Sequence, residues 1–203
     1  MTGLVKSVCS PFRTEFGTFE MHAYQFESGY EHLALLGGRR TASAAPLLRV
    51  QSSCLTGTAM HAELCDCRQQ LHMALQLVAT APEGGCVIYL DQEGRGHGLV
   101  SKVAQLALIG RGLDTVEAAT AHGEPADVRR WDEAVVIVKD LIGDKPVRLL
   151  TNNPSKAKGL AEAGLIIAAE SPIQAPVTAG NRAYLQVKRD KMGHRLDLDR
   201  PSP

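Results

Sequence analysis

The 203-residue sequence lacks net charge: 22 basic side chains balance 22 acidic ones. A general attraction to duplex nucleic acid or to an anionic membrane surface is therefore not expected. Any anionic ligand must be met by basic groups placed locally. Aromatic residues are scarce, at 4% of the chain against 44% hydrophobic residues overall, so the core must come from Ala, Val, Leu and Ile. No apolar run reaches the roughly eighteen residues of a membrane span. The first ten residues carry no long apolar core of the kind that marks a secretory signal. Cysteine is neither abundant nor even in number, with five residues and no regular framework. That count, without an export signal, favours reduced thiols and a cytoplasmic location over a disulfide scaffold.

What is present reads as strands first and an alternation later. Residues 16–24 alternate apolar and polar, and 32–37 and 46–51 are short apolar runs, so all three are expected strands. The glycine- and arginine-containing stretch 37–45 between them is an expected loop. Residues 68–80 carry Leu71, Leu75, Leu77 and Val78 near helical spacing, and ProGluGlyGly (82–85) ends that helix. CysValIleTyrLeu (86–90) is an expected buried strand, 92–98 a glycine-rich loop, and 99–109 a helix. Residues 113–130 show no clear period. A helix over 131–142 places Ala134, Val135, Val138, Leu141 and Ile142 on one face. A strand at 147–151, a helix to Ala163 with Ser155 as its N-cap, and a strand at 165–169 follow. The expectation is an α/β fold of mixed α+β character, with one domain over 1–194 and a disordered tail at 195–203.

Cys54, Cys65 and Cys67 are the first candidate for chemistry. Three soft ligands suit zinc, and three leave one coordination position for water, the mark of a catalytic site. Two other readings stay open. A distant fourth ligand, such as His61, His97 or His122, would make the zinc structural. The three could also be unmetallated core cysteines. The loop GlnGluGlyArgGlyHisGly (92–98), between a strand and a helix, offers backbone N–H groups and Arg95 to an anion. Its spacing is neither a dinucleotide fingerprint nor a P-loop, and an ordinary connection accounts for it equally. Thr151 and Lys156 flank a second strand-to-helix turn, where phosphate binding competes with plain helix capping. Asp127 and Arg129 can pair, as surface ions do.

In order along the chain, ArgVal-x-Ser-x-CysLeuThrGly (49–57), CysAspCys-x-x-GlnLeu (65–71), GlnGluGlyArg (92–95), AspThrValGluAla (114–118), Asp-x-Arg (127–129), ArgLeuLeuThrAsnAsnPro (148–154) and LysMetGlyHis (191–194) resemble the GTP cyclohydrolase II family. The resemblance runs from about residue 14 to 194. It implies a layered fold of mixed sheets with flanking helices, and a homodimer. It implies Zn2+ on Cys54, Cys65 and Cys67, activating water for attack at C8 of a purine nucleotide such as GTP. Mg2+ would accompany the triphosphate. Asp127 and Arg129 match the catalytic pair that acts at the α-phosphate to expel pyrophosphate. Arg49, Val50, Gln51, Ser52, Ser53, Gln70, Glu93, Gly94, Arg95, Thr115, Thr151 and Lys156 match positions that contact the nucleotide.

The departures from the pattern gather at the same places. Leu106 stands where the family has a tyrosine, and leucine can neither donate nor accept a proton. Gln51 and Ser53 replace a histidine and a carboxylate, Leu90 and Asp91 a histidine and an arginine. Arg68 replaces a glycine and Thr58 an acidic residue. Four outcomes are compatible with these changes. The ring opens and the formyl group stays on the product. The full family reaction runs to formate release in riboflavin synthesis. The chemistry serves another nucleotide in a specialised pathway. Or the chain binds nucleotide around a structural zinc without turnover.

Overall fold

The structure is a computed structural model that describes residues 3–39 and 45–199. Among the described residues, seven strands form one mixed sheet in the order β1-β2-β3-β5-β4-β6-β7. They are β1 (Leu4–Thr14), β2 (Gly17–Phe26), β3 (Glu31–Gly37), β4 (Leu47–Ser52), β5 (Gly85–Leu90), β6 (Val147–Leu150) and β7 (Ile167–Ser171). The first three pair antiparallel as a meander, and β3 joins β5 antiparallel. From β5 through β4 and β6 to β7 every pairing is parallel. The helices are α1 (Leu55–Thr58), α2 (Cys67–Thr80), α3 (Gly98–Ile109), α4 (Thr115–Ala121), α5 (Asp132–Ile142), α6 (Pro154–Glu162) and α7 (Arg182–Met192). This is the α/β, mixed-sheet architecture the sequence implies.

The period of two along the central strands sorts side chains between the two faces. Leu48 and Val50 of β4, Ile88 and Leu90 of β5 and Leu149 of β6 enter one core, with Ala134, Ile137 and Val138 of α5 and Leu160 of α6. On the other face Leu47, Val87 and Leu150 pack with Ala74, Leu75 and Val78 of α2. The alternation therefore sends Arg49 and Gln51 to the α2 side. The turns after β4, β5 and β6 all lie at the carboxyl ends of parallel strands, where open α/β sheets bind ligands.

Several local expectations need correction. Residues 113–130 contain α4, which has no long apolar period because it is short. Its signal is chemical: Asp114 accepts from the N–H groups of Val116 and Glu117, and Glu117 reaches back to the Asp114 N–H, a capping box. The N-cap of α6 is Asn153, not Ser155; its side-chain Oδ1 accepts from the Ser155 and Lys156 N–H groups, and Pro154 occupies the first helical position. The last strand pairs over 167–171 rather than 165–169, because Leu165 still bonds back to Leu160 of α6. Helix α7 is absent from the sequence reading. Its only buried residue is Leu185, so no apolar stripe announces it. Residues 195–199 do not behave as the expected tail: Leu198 is buried against Leu185 and Val177. Residues 200–203, and 40–44 of the expected loop, lie outside the described residues.

Candidate functional site

Cys54 closes the turn after β4. Its N–H donates to the Tyr89 hydroxyl at 3.2 Å, and its carbonyl accepts from the Thr58 N–H and hydroxyl. Cys65 and Cys67 flank the fully buried Asp66 at the start of α2. The ligand atoms of Cys54, Cys65 and Cys67 lie within 4.8 Å of one another and could hold a metal ion. Among the described residues no histidine or carboxylate joins them in that group. His97 instead bonds the Pro125 carbonyl, and His122 lies 3.9 Å from Glu124. None of the five cysteines, all among the described residues, is in a disulfide. The close approach depends on Gly57, where a Cβ would stand 2.6 Å from the Cys65 sulfur and 3.0 Å from that of Cys54.

Charge around the sulfurs is supplied from α3 and the loop before it. Lys102 Nζ lies 3.2 Å from Cys54 Sγ and 2.7 Å from Glu93 Oε1, and Glu93 Oε2 accepts the Leu55 N–H. Hydrogen bonds from Cys65 and Cys67, then the Lys102 ammonium, hold the Cys54 thiol far below its ordinary range. The same contacts with Cys54 push the Cys65 and Cys67 thiols up. One thiolate is favoured without metal, and a cation is what would bring all three to the anionic form.

A second wall is cationic. Arg49 is buried, with its guanidinium donating to the Leu150 carbonyl, Gln51 Oε1 and Gln70 Oε1. Burial pushes it down to about 10, partly offset by Asp66. Lys156 donates to the Val50 carbonyl at 2.6 Å. Burial first, then Arg49, Arg129 and Lys188, push the Lys156 ammonium well below the ordinary lysine range. Arg129 makes a bidentate pair with Asp127. Burial acts to raise the Asp127 carboxyl, but the Arg129 hydrogen bond and charge outweigh it and hold the group below its usual range. The Trp131 ring orders both cations, lying 5.2 Å from the Arg129 guanidinium and 5.3 Å from the Lys156 ammonium. Gly159 makes room for that ring, since a Cβ there would meet it at 2.5 Å.

The third wall is the loop after β5. Gly94 and Arg95 both adopt left-handed backbone, with φ of 60° and 59°, which costs a non-glycine residue about 1–2 kcal/mol. The conformation is held by the Val128 N–H on the Arg95 carbonyl and by the Arg95 guanidinium on Thr115 and Ala126. Ser52 and Ser53 carry buried hydroxyls with no hydrogen-bond partner. Both line the pocket.

The pocket gathers nearly all the residues that the sequence nominates. The three cysteines, Arg49, Gln51, Ser52, Ser53, Gln70, Glu93, Gly94, Arg95, Thr115, Arg129, Thr151 and Lys156 line one cavity. Val50 does not. Its side chain is fully buried in the α5–α6 core, and only its carbonyl serves the site, through Lys156. Asp127 stands behind Arg129 rather than in the cavity wall. Of the departures, Leu106 faces the cavity, Gln51 is engaged by Arg49, Thr58 braces the Cys54 carbonyl, and Leu90 belongs to the core. Lys102, Gln105, Tyr184, Lys188 and His194 also line the cavity, although the sequence reading gave them no site role. A lysine one turn into a helix after a glycine-rich loop was a usable signal for Lys102, and the LysMetGlyHis motif for His194; Tyr184 and Lys188 had none.

The family model for GTP cyclohydrolase II matches residues 6–172. The chain belongs to the GTP cyclohydrolase II family. It is 42% identical over 182 residues to a GTP cyclohydrolase-2 of Neisseria meningitidis serogroup C, covering 89% of this chain and 91% of that protein. The GTP cyclohydrolase-2 of Neisseria gonorrhoeae is 41% identical over 181 residues, with the same coverage. That of Shewanella sp. (strain MR-4) is 40% identical over 188 residues and 92% of each chain. A GTP cyclohydrolase II family member is an enzyme, and the motif resemblance agrees with these matches. No described helix is long and apolar enough to cross a membrane. Helix α7 lies beyond the stretch that the family model matches.

Proposed function

We propose that this enzyme is a zinc-dependent hydrolase that opens the imidazole ring of GTP or a close relative, releases pyrophosphate, and leaves the formyl group on its product. The carrying observation is one cavity with two opposite chemistries: a thiol cluster able to hold a metal and a cationic wall of Arg49, Lys156 and Arg129. The donor set fits zinc, because three sulfurs meet at close range with no fourth protein ligand among the described residues. Zinc, when bound, supplies the Lewis acidity that activates water at neutral pH.

The chain's own groups do the rest. Arg49, fixed by Leu150, Gln51 and Gln70, presents charge at the cavity floor without reorganising. Lys156 and Arg129, stacked on Trp131, stabilise negative charge as the bond to the α-phosphate breaks. Asp127 orients Arg129, and a guanidinium held in an ion pair favours charge stabilisation over a nucleophilic role. Ser52 and Ser53 offer free hydroxyls to the nucleotide. Ring opening adds one water and breaks the bond from C8 to N9. Pyrophosphate loss consumes a second water. Formate release would need a third, with proton transfer at the formamide. Leu106, on the cavity wall, has no proton to give there. Magnesium on the triphosphate belongs to this reading. So does a homodimer, which the exposed apolar residues of edge strand β1, Leu4, Val5, Val8 and Phe12, support.

Incubation with GTP, zinc and magnesium followed by mass spectrometry tests it. The expected product has the mass of GMP plus one water, alongside pyrophosphate. A product that has also lost formate would restore the full family reaction. No turnover of any purine nucleotide would end the enzymatic reading of this site.

A further inference from the structure

Helix α7 is built for the cavity rather than for the core. It buries only Leu185, in a small cluster with Val177 and Leu198 that is separate from both faces of the sheet. Its other attachments are polar and surround the site. Lys188 Nζ reaches Asp66 Oδ1 at 2.8 Å, between two of the metal-binding cysteines. Lys191 pairs with Asp114 and Glu117 of α4. Just past the helix, the Arg195 N–H donates to the Asn152 carbonyl in the turn after β6. The chain thus crosses from α4 to the β6–α6 turn, over the cationic wall.

Two side chains on this crossing face the cavity without an established task. Lys188 is 12% exposed, seated on the Tyr184 ring at 4.6 Å, and Asp66 uses only part of its donor capacity. His194 lines the same cavity and keeps a buried Nδ1 with no hydrogen-bond partner. Its neighbours are cations from three different elements: Lys188 of α7, Arg129 before α5 and Lys156 of α6. Burial first, then Lys188, push its imidazole down to about 4, while the Met192 carbonyl acts to raise it. An anion placed among these three cations would favour the imidazolium form, in which the orphaned Nδ1 becomes a donor to it.

We propose that α7 and the turn after it form an anion-binding wall, in which Lys188 and His194 contact the phosphate chain of the nucleotide. The assignment rests on the nucleotide reading for the identity of the ligand, but not for its charge. Lys188 has a second duty as the counter-ion of Asp66, so the wall and the metal-binding turn are fastened together. An arriving polyphosphate neutralises the repulsion among Arg49, Lys156, Arg129 and Lys188 and gives His194 its missing partner.

Calorimetric titration of the full chain with tripolyphosphate, a probe that is not turned over, tests the wall directly. His194→Ala should lose about tenfold in affinity, the usual scale of one charge-assisted hydrogen bond. His194→Gln keeps an N–H donor and should retain most of the affinity. Thermal midpoints of both should stay at the wild-type value. Lys188→Gln should lose affinity and midpoint together, because Asp66 loses its counter-ion, so the histidine variants decide. Wild-type tripolyphosphate affinity in His194→Ala would overturn the proposal. So would a wild-type protein that ignores tripolyphosphate. If tripolyphosphate binding behaves as expected while GTP is not turned over, the nucleotide reading falls and the anion wall stands.

Discussion

Lys156→Met should make the unliganded protein more stable while ruining its affinity for phosphate. Lys156 is 5% exposed and has one hydrogen bond, to the Val50 carbonyl. Burial and the fields of Arg49, Arg129 and Lys188 all disfavour its charge, with Asp127 pulling the other way. Replacing a buried charge by an apolar side chain of similar volume gains about 1–4 kcal/mol. The lost hydrogen bond of a charged donor takes back about 1.5–3 kcal/mol. The midpoints of these two ranges leave a net of about 0.3 kcal/mol in favour of methionine, or roughly 1 °C in thermal midpoint for a chain of this size. Tripolyphosphate affinity should fall by about a hundredfold, since a buried charge-assisted contact disappears.

The pH dependence carries the sign. A lysine whose folded pKa lies below its unfolded value binds fewer protons when folded, so stability rises with pH between the two values. The wild-type protein bears the full penalty below the depressed folded pKa and sheds it on the way to about 10.4, the unfolded lysine value. The variant has no such penalty. Its advantage should therefore be largest below the depressed folded pKa and should shrink as pH rises toward the unfolded value. Differential scanning calorimetry of both proteins without ligand, at several pH values up to 10, measures this. A lower midpoint for Lys156→Met, or a gain that is the same at every pH, would refute the reasoning.

Other substitutions probe the remaining walls. Cys65→Ser should leave the protein with little zinc by metal analysis and without ring-opening activity. Gly57→Ala places a methyl against two sulfurs; it should cost about 1–3 kcal/mol of stability and weaken zinc in a chelator competition. Arg129→Ala should slow pyrophosphate release by about 10²–10³-fold, while Trp131 keeps Lys156 in place; an unchanged rate would remove Arg129 from the chemistry. Leu106→Tyr should move the product toward formate release in the mass spectrum, and an unchanged product would disconnect that position from the outcome.

The parts of the site that sequence made legible are those carried by local spacing. Cys65 and Cys67 flank one residue, and the turn from Cys54 through Gly57 brings the third sulfur to them. Arg49, Gln70 and Thr151 also follow from motif order. What spacing cannot show is pairing across the fold. Lys188 is 122 positions from its partner Asp66, and neither residue belongs to a periodic pattern. Helix α7 is held by such pairs instead of by an apolar stripe, so it escaped a reading based on periodicity. Helix α4 escaped for a different reason: seven residues are too few to show a period, although Asp114 and Glu117 spell its cap. The Val50 side chain lies away from the cavity because a motif names consecutive residues, while a strand turns every second one to the opposite face.

The chemistry of the cavity explains why the surrounding fold is so heavily tied. Arg49, Arg129, Lys156 and Lys188 converge on one space, with Asp66 and Asp127 as the carboxylates bonded to them. Two carboxylates do not balance four cations; burial first, and then that shortfall, push down the charged forms of Lys156 and His194. An arrangement of that kind persists only where other contacts over-determine it. Here those are the Trp131 ring against Gly159, the Arg49 network, and the crossing of α7. A bound polyanion would relieve the same strain that the fold resists, so binding and stability should rise together. The prediction for Lys156→Met separates them: it removes part of the strain and, with it, part of the reason for the ligand to bind.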